Sequence, residues 1–299
     1  MRRGVLLFAA VPVVATAAVY FLAPSDSGGD SPAPTASTAQ VAPEEAKDRA
    51  ERERERDDEV IADLPAGLAS KGKKELAQQL VASADNSTLD WRSLYGSIED
   101  LDDGQGYTAG VAGFCTGTHD LLTLVERYTE DHPDNGLARY LPALRKVDGT
   151  DSHEGLDPGF ADAWRAEAEV PAFRAAQEEE RDRVYFDPAV RLAKLDGLTT
   201  LGQFVYYDAI IFHGPDTEAD GFYGLRARAM EEAETPAAGG DEKTYLAAFL
   251  DVRRAALAET RDGDTSRVDT AQRRFLDAGN LELRTPLEWE TYGDTYQVP

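Results

Sequence analysis

The sequence is poor in the residues that several common chemistries need. Its 299 residues contain one cysteine and four histidines, the histidines scattered singly at His119, His132, His153 and His213. The single Cys115 excludes an intramolecular disulfide, and this supply of nitrogen and sulfur ligands is too small to favour a zinc site. Also missing are a G-x-S-x-G nucleophile elbow, a phosphate-binding loop, a dinucleotide fingerprint and an H-E-x-x-H helix. We therefore expect no metal and no cofactor.

Basic residues are also scarce. The chain has 31 Lys and Arg against 56 Asp and Glu, a net charge of −25. Residues 64–299 alone carry 44 acidic and 24 basic residues, a net charge of −20. Such a surface repels polyanions, and no basic patch interrupts it, so nucleic acid is not an expected partner. A cationic ligand is the first candidate.

The N-terminal region predicts export. Arg2 and Arg3 precede an apolar run over 5–23, which is typical of a signal peptide. The run is also long enough for an uncleaved signal anchor, which would tether the protein to the membrane facing outward. Residues 24–66 are predicted to be a disordered or charged linker. Within it, residues 43–63 would place charged side chains on every face of a helix, which predicts a fraying helix or spacer. Residues 67–299 form the folded body.

Apolar spacings of three and four residues, bounded by Gly, Pro, Asn or Asp, predict a mainly helical body. A β-strand is expected at 107–111, after a turn at 102–106, and Pro142 is expected to interrupt its helix. The result is an α+β fold of the lysozyme kind with one small β element near its start. The predicted helices cover 120–128, 137–147, 160–170, 172–184, 189–195, 198–212, 223–233, 243–260 and 268–278.

Several large side chains are expected to be core rather than ligand contacts. Their helical or packing positions favour burial, and Cys115 is expected to be a small buried hydrophobic residue rather than a nucleophile. These aromatic residues are Trp91, Trp164, Trp289, Tyr206 and Tyr207.

With those chemistries set aside, the acidic side chains remain as candidate catalytic groups. Hydrolysis of a glycosidic bond needs one protonated acid for the leaving oxygen and one ionised base for the water on the opposite sugar face. Composition alone cannot choose the pair among 56 acids.

Short segments in a fixed order narrow the choice. From about residue 73 to the C-terminus, the chain closely resembles the bacterial chitosanases of glycoside hydrolase family 46. The segments that carry the resemblance are 84–91 (ADNSTLDW), 98–100 (IED), 103–108 (DGQGYT), 113–118 (GFCTGT), 181–188 (RDRVYFDP), 202–204 (GQF), 206–210 (YYDAI), 265–270 (TSRVDT) and 291–294 (TYGD).

The resemblance implies a two-lobed enzyme with a substrate cleft between its lobes, which cuts β-1,4 bonds between glucosamine units of chitosan with inversion. It implies Asp85 as general acid, Asp103 as general base and Thr108 as the residue that holds the attacking water. The family carries Glu where this chain has Asp85. Since Asp is shorter by one methylene, a catalytically impaired chitosan-binding protein is the alternative.

Further roles follow from the same resemblance. Asp208, Arg253 and Arg267 match a charged network beside the general acid. Four positions match the substrate cleft, namely Asp120, Glu259, Tyr185 and Gln105, the last of which stands where many relatives carry Arg.

The implied partners are chitosan and glucosamine oligosaccharides. The protein is expected to be a secreted monomer, and the second alternative is a wall-associated protein whose charged helix presents an anchored domain.

Overall fold

A computed structural model describes residues 43–299, and the predicted export segment at 1–23 lies outside the described residues. The charged stretch forms a helix, α1 (Pro43–Ala62), and the compact body begins at Pro65. Among residues 43–299, no helix combines the length and apolar content that a membrane crossing requires.

The body is mainly helical, as predicted. Its helices are Lys71–Asn86 (α2), Asp120–Asp131 (α3), Leu141–Val147 (α4), Phe160–Glu167 (α5), Pro171–Arg181 (α6), Asp187–Leu195 (α7), Thr200–His213 (α8), Phe222–Glu232 (α9), Glu242–Ala258 (α10) and Arg273–Asp277 (α11). Short 3₁₀ turns cover Gly67–Ala69, Trp91–Gly96, Ala138–Tyr140 and Pro236–Ala238. The predicted interruption by Pro142 is confirmed, because α4 begins at Leu141 with proline in its first turn.

The core is built around α8. Residues 200–210 of this helix are all buried, as expected for a helix that is hydrophobic on every side. The predicted aromatic core is confirmed, since Trp164, Trp289, Tyr206 and Tyr207 are fully buried and Trp91 is nearly so. Cys115 is buried as well. The one charged residue in the buried stretch of α8 is Asp208, which consequently needs charged partners.

The predicted strand belongs to a three-stranded antiparallel sheet. Its strands are Ile98–Asp100 (β1), Tyr107–Ala109 (β2) and Phe114–Cys115 (β3), in the order β1-β2-β3. Asp100 pairs with Tyr107, so residues 101–106 form the loop between β1 and β2. The sheet packs on α5 through β1 and on α3 through β3.

The expectation of a single β element is wrong, because a second antiparallel sheet lies at the C-terminus. Leu287–Thr291 (β4) and Asp294–Val298 (β5) pair around a turn in which Tyr292 has φ 51° and Gly293 has φ 83°. Positive φ at both central residues is typical of a type I′ hairpin turn. Burial alternates along β4, which packs against the turn at 267–272.

Two helices contain π-helical turns, Asp182–Phe186 between α6 and α7 and Arg267–Gln272 before α11. Each turn adds a residue to the helical repeat and so changes which side chains face inward. Tyr185 lies on the first turn and Arg267 on the second.

Candidate active site

Asp85 lies in the last turn of α2. The helix ends at Asn86, and Ser87 follows in the left-handed conformation with φ 50°. The side chain of Asp85 is 28% exposed, so it is accessible from solvent while part of it contacts the protein.

Arg267 joins Asp85 to the buried Asp208. Its Nη2 lies 2.7 Å from Asp85 Oδ1 and 3.0 Å from Asp208 Oδ1. One guanidinium nitrogen therefore serves two carboxylates, and α2 and α8 are connected through the π-helical turn.

The other oxygen of Asp208 has its own partners. Arg253 Nη1 lies 2.6 Å from Asp208 Oδ2, and Gln272 Nε2 donates to the same oxygen at 2.7 Å. Asp208 is 1% exposed and Arg253 is fully buried. The four residues 85, 208, 253 and 267 thus form one continuous network, the acid network.

The pKa values of the two carboxylates of the acid network are shifted in opposite directions. Burial raises the pKa of Asp85, Arg267 opposes this, and the negative charge of Asp208 raises it further, so that the net pKa lies above its ordinary value. Burial also acts to raise the pKa of Asp208, but Arg267 and Arg253 outweigh it and the net pKa is lowered. Asp85 therefore binds a proton more readily than Asp208 does.

Two further residues of the network were not predicted from the sequence. His213 Nε2 accepts a hydrogen bond from Arg253 Nε at 3.4 Å, and burial beside Arg253 and Arg267 lowers the pKa of His213 to about 3. Phe212 lies under the Arg267 guanidinium, with 4.6 Å between the guanidinium carbon and the ring centroid. A neutral imidazole and an aromatic face add no cationic charge next to Asp85.

Asp103 lies in the loop 101–106 and is partly exposed. Its Oδ1 accepts a hydrogen bond from the Gln105 N–H at 3.0 Å, which closes a local turn. The loop has positive φ at Asp102, Gly104 and Gly106. This carboxylate is therefore positioned by the conformation of its loop rather than by a buried ion pair.

Thr108 follows on β2, opposite Glu99 of β1 and Cys115 of β3. Its Oγ1 lies 3.2 Å from Cys115 Sγ. Burial raises the pKa of the Cys115 thiol to about 12, with the charge of Asp120 acting in the same direction. Cys115 is thus an uncharged neighbour of Thr108.

A cluster at the base of the loop was also missed from the sequence. The Tyr107 hydroxyl donates to Asp157 Oδ1 at 2.6 Å, and its ring stacks on His153 with centroids 4.0 Å apart. His153 Nε2 lies 3.2 Å from Asp100 Oδ2. The cluster holds both ends of the loop 101–106. Its members are about 50 residues apart in the chain, so no local pattern links them.

Asp120 and Tyr185 lie together in the interior. The Tyr185 hydroxyl donates to Asp120 Oδ2 at 2.6 Å, and Oδ1 accepts from the Cys115 N–H at 2.8 Å and the Thr118 hydroxyl at 2.7 Å. Burial raises the pKa of Asp120 even though these hydrogen bonds oppose it. In this structure both oxygens of Asp120 have partners within the protein.

Glu259 and Gln105 are exposed. Glu259 follows the C-terminus of α10, whereas Gln105 accepts a hydrogen bond from the Gly117 N–H at 2.9 Å through its main-chain carbonyl. Their side chains are thus available to solvent. Within the described residues, no group of three or more His, Cys, Asp or Glu side chains is arranged to hold a metal ion.

The residues of the acid network lie within a stretch that matches a known family. The profile of glycosyl hydrolase family 46 matches residues 79–287. A chitosanase of Streptomyces sp. (strain N174) is 58% identical over 234 residues, which is 78% of this chain and 84% of that protein. A chitosanase of Nocardioides sp. (strain N106) is 55% identical, over 78% of this chain and 84% of that protein.

Solved structures that resemble this chain are also chitosanases. A chitosanase complex structure has a TM-score of 0.77 and 51% identity, covering 79% of this chain and all of that chain. A complex of a Gynuella sunshinyii GH46 chitosanase with chitotetraose has a TM-score of 0.72 and 34% identity, covering 79% and 99%. These neighbours confirm the predicted two-lobed, lysozyme-like α+β fold.

Proposed function

This chain belongs to glycosyl hydrolase family 46, and from that membership we propose that it is an endo-acting chitosanase. It hydrolyses β-1,4 bonds between glucosamine units of chitosan with inversion at the anomeric carbon. Identity of 58% to a chitosanase over 78% of the chain supports this activity. Chitotetraose bound to a related structure supports oligosaccharides of the same class as ligands.

The general acid is Asp85. Its carboxyl group transfers a proton to the glycosidic oxygen as the bond to the anomeric carbon breaks. The observation that carries this assignment is the acid network, in which burial and Asp208 raise the pKa of Asp85 while Arg267 holds its Oδ1 at 2.7 Å. Two neighbouring carboxyl groups whose pKa values are shifted apart are an arrangement that suits acid catalysis.

The general base is Asp103. It takes a proton from a water molecule, whose oxygen attacks the anomeric carbon from the opposite face, and Thr108 orients that water. After the reaction Asp85 is ionised and Asp103 is protonated, and exchange with solvent restores both. Inverting enzymes use carboxyl groups about 6.5–9.5 Å apart, which leaves space for the water.

The short side chain of Asp85 is the feature that most affects the rate. One methylene fewer than Glu removes about 1.5 Å of reach. A misplacement of about 1 Å can reduce a rate by about 10²-fold. A binding protein with an impaired cleft is therefore the second candidate function, and the same observation favours it.

An Asp85→Glu variant separates the two functions. We expect the wild-type protein to release reducing ends from chitosan above background, and the variant to raise kcat about 10- to 100-fold by restoring reach. Asp162→Glu is the matched control, because Asp162 lies on α5 with a side chain 89% exposed. A wild-type rate at background, with hydrolysis appearing only in Asp85→Glu, would identify a binding protein. An unchanged or lower kcat in Asp85→Glu would show that reach is not limiting.

Two residues line the proposed cleft, and two more support it from the interior. Glu259 and Gln105 are exposed, so their side chains can contact glucosamine units directly. Asp120 and Tyr185 act as a hydrogen-bonded pair next to β3. We expect the protein to work as a monomer, without a cofactor and without nucleic acid as a partner.

Export completes the proposal. Residues 1–23 act as a signal peptide or a signal anchor, and 24–66 link them to the catalytic domain at 67–299. Since chitosan is a large extracellular polymer, a secreted or outward-facing enzyme meets its substrate directly. Mass spectrometry of the mature N-terminus distinguishes a cleaved signal from a retained anchor.

A further inference from the structure

A segment that follows α10 reaches the loop that carries Asp103. Arg261 follows the C-terminus of α10, and its Nη1 donates to the main-chain carbonyl of Asp102 at 3.4 Å. The two residues are 159 positions apart in sequence. Because Asp102 directly precedes Asp103, this contact acts on the backbone next to the proposed base.

The segment 259–266, here called the bridging segment, is held by side-chain hydrogen bonds. The Thr260 hydroxyl lies 2.7 Å from the Leu257 carbonyl and 3.0 Å from Asp262 Oδ1, and the Tyr292 hydroxyl donates to Asp262 Oδ2 at 3.2 Å. The Ser266 hydroxyl in turn accepts from the Tyr292 N–H at 2.9 Å. The turn between β4 and β5 therefore supports the bridging segment at two points.

The same segment leads directly into the acid network. Six positions after Arg261, Arg267 binds Asp85 Oδ1 at 2.7 Å. Six residues span at most about 20 Å even when fully extended. One short stretch of chain thus contacts the base-bearing loop at one end and the proposed acid at the other.

The loop 101–106 needs support on both sides. Its second half is attached to the segment before α3, because the Gln105 carbonyl accepts from the Gly117 N–H at 2.9 Å and the Thr116 hydroxyl at 3.2 Å. Its first half contains Asp102 with φ 52°, and the Asp102 carbonyl is the atom that Arg261 contacts. The contact from Arg261 therefore supports the first half of a six-residue loop in which three residues have positive φ.

The charge of Arg261 argues against a role in attracting substrate. The body carries a net charge of −20, and chitosan is a polycation in mildly acid solution. An exposed guanidinium beside the proposed base repels the ammonium groups of that substrate. We therefore attribute to Arg261 a structural role rather than a role in substrate capture.

We propose that Arg261 is a positioning residue that fixes the distance between Asp103 and Asp85 by holding the Asp102 carbonyl from the bridging segment. This inference rests on the proposed function. In this proposal Arg261 couples the two catalytic carboxylates. Arg261 contacts the Asp102 main chain next to Asp103, and Arg267, six residues later, contacts Asp85.

The test compares steady-state hydrolysis of chitosan by the wild type, Arg261→Ala and Arg139→Ala. Arg139 is also exposed, so its removal makes the same change in net charge. We expect Arg261→Ala to lower kcat about 5- to 20-fold, below the roughly 10²-fold effect of a 1 Å misplacement. KM should stay constant or fall, because a repulsive charge is lost. Arg261→Lys, which keeps a charged donor, should recover part of the lost kcat.

Tyr292→Phe tests whether the bridging segment is needed for Arg261 to hold the Asp102 carbonyl. It removes the hydroxyl that donates to Asp262, and we expect a smaller fall in kcat that is not additive with Arg261→Ala. A kcat for Arg261→Ala equal to that of Arg139→Ala, a rise in KM alone, or no recovery with lysine would overturn the inference. Absence of hydrolysis by the wild type would instead refute the proposed activity, so the two failures are distinguishable.

Discussion

At the scale of single residues, the acid network separates two aspartates that share one nitrogen. Arg267 Nη2 contacts both Asp85 and Asp208, yet the pKa of Asp85 is raised and that of Asp208 is lowered. The difference arises because Asp208 has a second arginine, Arg253, at 2.6 Å. The pKa values of two similar groups are thereby shifted apart, which suits the proposed roles of Asp85 as the acid and Asp208 as a fixed negative charge.

Replacing Asp208 and replacing Arg267 should shift the pH profile of kcat in opposite directions. A general acid must be protonated, so the alkaline limb of kcat follows its pKa in the complex. Asp208→Asn removes a negative charge that raises the pKa of Asp85, and the limb should move to lower pH. Arg267→Gln removes a positive charge that lowers this pKa, and the limb should move to higher pH. The measurement is kcat against pH.

Both variants break buried ion pairs, which can cost about 3–5 kcal/mol of stability. The pH profiles are therefore compared at a temperature at which circular dichroism shows each variant folded. Shifts in the same direction, or none in either variant, would contradict the assignment of Asp85 as the acid.

At the scale of helices and strands, periodic patterns predicted the long helices well. Predicted segments at 198–212 and 223–233 differ from α8 and α9 by at most two residues at each end. The C-terminal hairpin was missed although alternation along 287–291 indicates a strand, because its turn is Tyr-Gly rather than the usual Asn-Gly. The π-helical turns were missed because they interrupt apolar runs that read as continuous helices.

The same limit applies to the site. Asp85, Asp103 and Thr108 could be proposed as site residues because each lies in a short segment that resembles a known family. The contacts of Arg261 with Asp102 and of Tyr107 with Asp157 join residues 159 and 50 positions apart. Such pairs have no local signal in one sequence, and only the folded chain brings them together.

The hairpin turn gives a prediction about stability. Gly293 has φ 83°, and a side chain placed there meets no atom within 4 Å, so the cost of Gly293→Ala is conformational alone. We expect a loss of about 1 kcal/mol in the free energy of unfolding. Gly72→Ala is the control, because Gly72 lies in α2 in equally open space and alanine favours a helix. Urea unfolding should show opposite signs, and equal signs would exclude a conformational origin.

At the scale of the whole molecule, acidity is a property of the folded body. Residues 64–299 carry a net charge of −20. A polycationic substrate is attracted to such a body within a Debye length, about 10 Å at 0.1 M salt. The acidity that disfavours polyanionic partners therefore favours capture of chitosan, and it acts before any residue of the site makes contact.

Salt should accordingly affect capture more than chemistry. Raising ionic strength from about 0.01 M to about 1 M shortens the Debye length from about 30 Å to about 3 Å. We expect KM for chitosan to rise several-fold over this range while kcat changes little. More highly acetylated chitosan, which carries fewer charges, serves as the control substrate and should respond less. A constant KM for both substrates would make the acidity a solubility feature alone.

The buried Cys115 makes the molecule its own reporter of local opening. Its Sγ lies 3.1 Å from the Gly113 carbonyl and 3.2 Å from Thr108 Oγ1, on the strand that pairs with β2. Because burial raises the pKa of this thiol to about 12, we expect alkylating reagents to react with it after local opening of the β2–β3 pair. Since the chain has one cysteine, the labelling rate of the native protein measures the free energy of that separation without any engineered probe.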